Sequence, residues 1–344
     1  MLDFLKRIAN SLLLGVIFVY FSELMFWATP FHPESKLSYE ILFTWLVYSI
    51  AAYIFLFIIS FFQVRSIWAL FISGALYGWM IEGVIVQTTY EELPFSISFT
   101  GLAWHALITV LCGWYLVKKT LREEKPWKAI GVSIGFGLFY GFWSITWWVV
   151  EGAIVFTSIP IFSLYVSVSS VIMIASYILY DLIPLSTFKP TIAELIVVGL
   201  FIIGWYILDV IILPLSLILI PLIVISVIAL WWNKRKETDQ DLNQVLSKKV
   251  PLLRYSILLI IPVLAIGFYS LSVALNLRVH TNWVIYLITT PMGFIMFILS
   301  VIMTFVSKEK EKLKPSTQPT SESYNQTDKF SNKDSIQPED QEFS

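Results

Sequence analysis

Leu195-Ile196-Val197-Val198-Gly199-Leu200-Phe201-Ile202-Ile203-Gly204-Trp205-Tyr206-Ile207-Leu208-Asp209-Val210-Ile211-Ile212 carries a single charged side chain. A helix rises about 1.5 Å per residue, so about 20 apolar residues cross the roughly 30 Å hydrocarbon core of a bilayer. This run therefore reads as a membrane span. Leu213-Pro214-Leu215-Ser216 follows, and then another apolar run. Proline breaks helices, so 191–210 and 213–232 read as two spans, or as one long kinked or re-entrant segment.

The same signal recurs outward in both directions. Ten stretches qualify: roughly 8–29, 40–62, 66–89, 96–117, 129–156, 161–181, 191–210, 213–232, 252–275 and 282–306. The first is too long for the core of a signal peptide and has no small-residue cleavage site. Apolar residues make up 57% of the 344-residue chain and charged residues 14%, against about 45–50% and about 25% in soluble domains. Mean hydropathy is +0.77. These figures exclude a soluble enzyme, a disordered protein and a basic nucleic-acid binder. A single cysteine, Cys112, excludes a disulfide framework or a cysteine-based zinc site. The expected fold is an all-α, polytopic membrane helical bundle of about ten transmembrane helices, with the lipid bilayer as its main partner.

Basic residues orient it. With the N-terminus inside, all Lys and Arg except Lys36 and Arg278 fall in cytoplasmic segments, as the positive-inside rule requires. Both termini are then cytoplasmic, and the expected location is the cell membrane. Residues 1–232 carry spans one to eight and 233–250 a charged cytoplasmic link. Spans nine and ten occupy 251–306. The tail, 307–344, is rich in Ser, Thr, Gln, Pro, Lys and Glu and is expected to be disordered; its partner is unknown.

Odd-numbered spans share a pattern of a ring, two residues and an acid. It reads Tyr20-Phe21-Ser22-Glu23, Trp79-Met80-Ile81-Glu82, Trp148-Val149-Val150-Glu151 and Tyr206-Ile207-Leu208-Asp209, with Tyr269-Ser270-Leu271-Ser272 as an acid-free fifth copy. The spacing suggests five tandem helical hairpins, an internal repeat of parallel units. Each acid lies about 22–30 Å from the inner end of its span. Charge at such depth is expensive and usually functional. Ring and acid share a helix face, so Tyr20 and Tyr206 can offer an O–H, and Trp79 and Trp148 an N–H, to the carboxylate. A plain alternative is an interfacial belt of aromatic residues inherited by duplication.

His105 stands in the middle of the fourth span, where a histidine faces the bundle interior and seeks a partner. Glu82 on the preceding span is the obvious one. Small residues, Gly74, Gly78 and Gly83 with Gly131-x-x-x-Gly135 and Gly137-x-x-x-Gly141, offer close helix approach. No phosphate loop, nucleophile elbow or His-Glu-x-x-His motif occurs, and no cofactor or metal is expected. Glu91-Glu92 ahead of a histidine-bearing helix invites comparison with the CAAX-protease-like intramembrane family. Ser96 replaces that family's arginine and Gly101 its phenylalanine, so no family is assigned.

The leading expectation is a transporter handling protons, cations or a small cationic solute. Its binding residues would be Glu23, Glu82, Glu151, Asp209 and His105 with Trp79, Trp148 and Tyr206. The alternatives are a membrane scaffold or sensor acting through its tail, and an intramembrane enzyme using His105 with Glu82.

Overall fold

The apolar runs are helical in the computed structural model, which describes residues 2–27, 37–149, 156–183, 188–234, 246 and 248–312. No strand occurs among the described residues. Ten helices are long and apolar enough to cross a membrane: α1 (Leu2–Leu24), α2 (Tyr39–Phe61), α3 (Ile67–Ile85), α4 (Ile97–Arg122), α5 (Trp127–Trp148), α6 (Ile159–Asp181), α7 (Ile192–Ile212), α8 (Pro214–Asn233), α9 (Leu252–Ala274) and α10 (Thr281–Val306). The chain is thus a multi-pass helical bundle. The corner at Leu213–Pro214 separates two helices and is not a kink within one.

Local chemistry explains the boundaries. Ser66 caps α3 by accepting from the Ala69 N–H (3.1 Å), and Thr191 forms a reciprocal capping box with Glu194 at the start of α7. α1 begins earlier than its apolar pattern suggests, because Arg7 finds a partner across the bundle: its Nε lies 3.0 Å from Glu194 Oε2. Tyr53 donates to the same oxygen (2.6 Å). The helix of α10 runs through Pro291 and on to Lys312. Helix therefore enters the first part of the segment expected to be disordered; residues 313–344 lie outside the described residues, as does most of the 233–250 link.

Side-by-side hairpins account for only part of the packing. α1 packs on α2 and α3 on α4, but α5 packs on α9, α6 on α1 and α9, and α10 on α4, α3 and α8. Among the described residues, the pairs α5–α6, α7–α8 and α9–α10 do not pack along one another as α1–α2 and α3–α4 do. Small residues decide the partners, because they let backbones approach. Gly15 abuts Ser49 of α2, Gly74 abuts Ala106 of α4, and Gly137 and Gly141 abut α9 at Leu264 and Phe268. Gly131 and Gly135 have open space in front of them, so that spacing serves no helix contact. α7 is the outlier, with almost all of its surface facing outward. Beneath the ends of α1 and α3 lies a dry core of rings, including Phe18, Phe55, Tyr77 and Trp114.

Candidate functional site: an acidic cavity with aromatic walls

Two of the ring-plus-acid segments share an unusual backbone. At the end of α1 the Met25 N–H bonds to the Tyr20 carbonyl (3.1 Å), and at the end of α3 the Val86 N–H bonds to the Ile81 carbonyl (2.9 Å). These are wide, five-residue π turns, a form that recurs at functional sites. Tyr20–Leu24 and Met80–Ile85 are wound this way, and so is α4 over Ile97–Leu116. The wide turn keeps Gly101, His105 and Thr109 on one face of α4. Gly101 meets Gly78 of α3, where a Cβ on Gly78 would strike the Gly101 carbonyl oxygen. That close approach sets His105 against Glu82.

The contact is direct. His105 Nε2 lies 2.6 Å from Glu82 Oε1, and His105 Nδ1 lies 3.1 Å from Ser22 Oγ. With the Nε2 proton facing the carboxylate, Nδ1 is left to accept from the Ser22 hydroxyl. Thr109 Oγ1 sits 2.7 Å from Ser22 Oγ, and Thr88 donates to the second Glu82 oxygen. Glu23 accepts from the Tyr48 phenol at 2.5 Å. His105 is fully buried and Glu82 is 9% exposed, and both carboxylates have hydrogen-bond partners, as burial of polar groups requires.

These groups floor a cavity of about 550 Å3. It opens at the end of the bundle where α1 and α3 finish and α4 and α10 begin. Glu23, Glu82, Ser22 and Thr88 form its floor, and Glu91 and Glu92 stand at its rim. The walls are Phe26, Trp27, Phe99, Trp104, Trp143, Trp147, Trp283 and Tyr286. The rings brace one another: Trp104 packs on Phe26 (3.5 Å between centroids) and on Trp143 (4.8 Å). Three of the indole N–H groups donate to backbone, Trp104 to Ser22 O (2.8 Å) and Trp143 and Trp147 to Phe26 O (3.1 and 2.9 Å). Four carboxylates face this space, and no Lys or Arg lines it among the described residues.

The other expected site residues are elsewhere. Asp209 is buried outside the cavity and accepts from Gln87 Nε2 (2.6 Å). Glu151 lies outside the described residues. Among the described residues, Tyr20, Trp79 and Tyr206 do not donate to the acid of their own segment. Tyr20 pairs with Ser170 (2.8 Å), Trp79 donates to Ile97 O (3.1 Å), Trp148 to Tyr269 OH (3.1 Å) and Tyr206 to Ser216 O (2.8 Å). In those three segments the donor finds its acceptor on a neighbouring helix or turn instead. Of the repeated acids, those of the first two copies, Glu23 and Glu82, line the cavity.

Sequence reasoning missed Ser22, Tyr48 and Thr88, and it read Trp143 and Trp147 as a stripe beside Glu151 without joining them to Trp27, Trp104 and Trp283. Thr109 was recoverable, standing four residues after His105 on the same helix. Tyr48 and Trp27 were not, because their place depends on which helices pack. Beside the site, Gln87 takes a left-handed φ of 70°, which turns the chain from the π turn into the short turn Thr88–Tyr90 ahead of α4. Tyr90 donates to the Gly83 carbonyl (2.7 Å); burial first, then Tyr206 and Asp209, hold its phenol above the ordinary value, so it remains a neutral donor.

Comparison with protein-family models, curated proteins and solved structures finds no match to the chain.

Proposed function

We propose that the protein is a transporter that admits a small organic cation to the cavity and moves it with the help of the Glu82–His105 pair. One observation carries this reading: Glu23 and Glu82 project into a ring-walled space with no Lys or Arg on its lining among the described residues. Aromatic faces hold desolvated ammonium groups, and carboxylates supply the charge. A volume of about 550 Å3 is within the range of small-molecule sites. Below the floor the ring core is packed, so the cavity is open at one end only. In the orientation that the basic residues favour, that end faces outward, at the cell surface. The pair can hold a proton on the imidazole or release it as the cation arrives, a coupling typical of intramembrane His and Glu.

The test is uptake of a radiolabelled quaternary ammonium probe into proteoliposomes with an imposed pH gradient. Glu82→Gln is expected to abolish uptake driven by the gradient, and Glu23→Gln to weaken probe binding. Undiminished uptake by both variants refutes the reading.

A second reading rests on the chain Ser22–His105–Glu82, which has the order of a nucleophile, a base and an orienting acid. It makes the cavity a hydrolase site. A fluorophosphonate probe that labels wild type but not Ser22→Ala favours the hydrolase; no labelling leaves the transporter. A scaffold role is less favoured, since Glu23 and Glu82 share a cavity and do not spread around the rim.

A further inference from the structure

The opposite end of the bundle is built with the reverse charge. Lys118 Nζ lies 2.7 Å from Asp181 Oδ1, and Arg122 Nη2 lies 2.7 Å from Asp181 Oδ2. Both cationic side chains are only 3% exposed. Two buried cations thus share one carboxylate, leaving a positive charge unbalanced where solvent screens it poorly. Arg122 Nε is buried without a hydrogen-bond partner. The same Arg122 lines an open pocket of about 510 Å3 between the end of α4 and the start of α5.

Lysines complete this pocket. Lys119, Lys125, Lys128 and Lys248 line it. Of its two acids, Glu123 is already paired with Lys128 (2.5 Å), which leaves Glu124 against the remaining cations. Arg254 donates to the carbonyls of Leu121 (3.2 Å), Glu123 and Glu124 (2.8 Å). It thereby fixes the loop and occupies the negative end of α4 that would otherwise repel an anion. α5 starts at Trp127 with no acid in its first turn and no side-chain cap, so the positive end of its dipole is unopposed. Trp127 lines the same pocket and is 62% exposed, as rings are at the head-group level of a bilayer.

We propose that this pocket binds a phosphate group, that of an anionic phospholipid in the leaflet it faces. The chemistry is charge balance: a phosphodiester supplies the negative charge that Lys118, Arg122 and Asp181 leave uncompensated, and the flanking lysines close on its oxygens. Basic pockets at helix ends on the cytoplasmic side hold such head groups. The site is separate from the acidic cavity and stands or falls without it.

The experiment uses the full chain in nanodiscs of phosphatidylcholine, with or without phosphatidylglycerol, and reads retained lipid by native mass spectrometry. Wild type is expected to retain phosphatidylglycerol in preference. Lys125→Gln and Lys128→Gln remove exposed charges and Lys119→Gln a half-buried one, with little effect on folding, and each is expected to lower retention about fivefold. Glu123→Gln frees Lys128 and is expected to strengthen it. A second arm titrates inorganic phosphate into detergent-solubilised protein and follows the unfolding midpoint. Stabilisation by phosphate, lost in the lysine variants, without preference for phosphatidylglycerol, assigns the site to soluble phosphate and overturns the lipid source. Equal retention of both lipids with no phosphate effect overturns the site itself.

Discussion

His105 Nε2 and Glu82 Oε1, 23 residues apart in sequence, meet at 2.6 Å across the α3–α4 interface. The meeting depends on two glycines. Gly78 lies one turn before Glu82 and Gly101 one turn before His105, and their backbones touch where any side chain would intervene. Removing one polar partner from a dry interface leaves the other unsatisfied, which costs more than the bond itself contributes.

His105→Ala is therefore expected to cost about 3 kcal/mol, the range for breaking a buried pair. Adding Glu82→Ala should recover part of that loss, since no orphaned carboxylate remains. Thermal or SDS unfolding of the two single variants and the double variant gives the coupling directly. A coupling near the roughly 0.6 kcal/mol average for interhelical hydrogen bonds would mean that water reaches the pair and shares its bonds.

The glycine contrast checks the packing that underlies the site. Gly78→Leu places a side chain against the Gly101 carbonyl and the His105 Cβ. It is expected to destabilise by about 1–3 kcal/mol or more, as overpacking does. Gly131→Ala meets nothing within 4 Å, and it is expected to be neutral or to stabilise by up to about 1 kcal/mol through helix propensity. Equal midpoints for the two variants would contradict the α3–α4 approach described here.

How much of this was legible in the chain follows from the range of each interaction. Span positions come from local hydropathy, and most helices match them, as at 40–62 (Tyr39–Phe61) and 282–306 (Thr281–Val306), whereas the span expected over 129–156 ends as a helix at Trp148. The Glu82–His105 contact was readable because sequence neighbours α3 and α4 are also packing neighbours. The fourth copy of the repeat lies away from the cavity. Tyr206 and Asp209 carry the motif, but they sit on α7, which packs on little except the turn after Glu82. The ring walls escaped notice because Trp104, Trp143 and Trp283 converge from three helices whose mutual packing no local pattern encodes.

Cation binding should depend on the ring of Trp104 more than on its N–H. Trp104→Phe keeps an aromatic face and loses the bond to Ser22 O, so probe affinity is expected to fall little. Trp104→Leu removes the face, and a desolvated cation–π contact is worth about 1–2 kcal/mol or more, a loss of roughly 5–30-fold. The pH dependence has a definite sign. Protonating a carboxylate removes the charge that attracts the cation, so affinity is expected to be full at high pH and to fall as pH is lowered, and Glu23→Gln is expected to reduce that dependence. Isothermal titration across pH with a quaternary ammonium probe, which has no titratable proton of its own, isolates the protein's contribution. Affinity that rises on acidification would place the cation elsewhere.

Orientation is open to a direct chemical test, because the chain has a single cysteine to remove. In a Cys112→Ala background, Lys234→Cys and Arg278→Cys report opposite ends of the bundle, both at exposed positions. The distribution of Lys and Arg puts Lys234 with the cytoplasmic majority and leaves Arg278 outside. Arg278 also donates to the Trp148 carbonyl (3.3 Å), at the end where the acidic cavity opens, so labelling there reports the side from which a ligand enters. A membrane-impermeant maleimide added to intact cells is expected to label Arg278→Cys and to label Lys234→Cys only after permeabilisation. The reverse pattern would turn the cavity towards the cytoplasm, make export the direction of transport, and place the lysine-lined pocket in the outer leaflet.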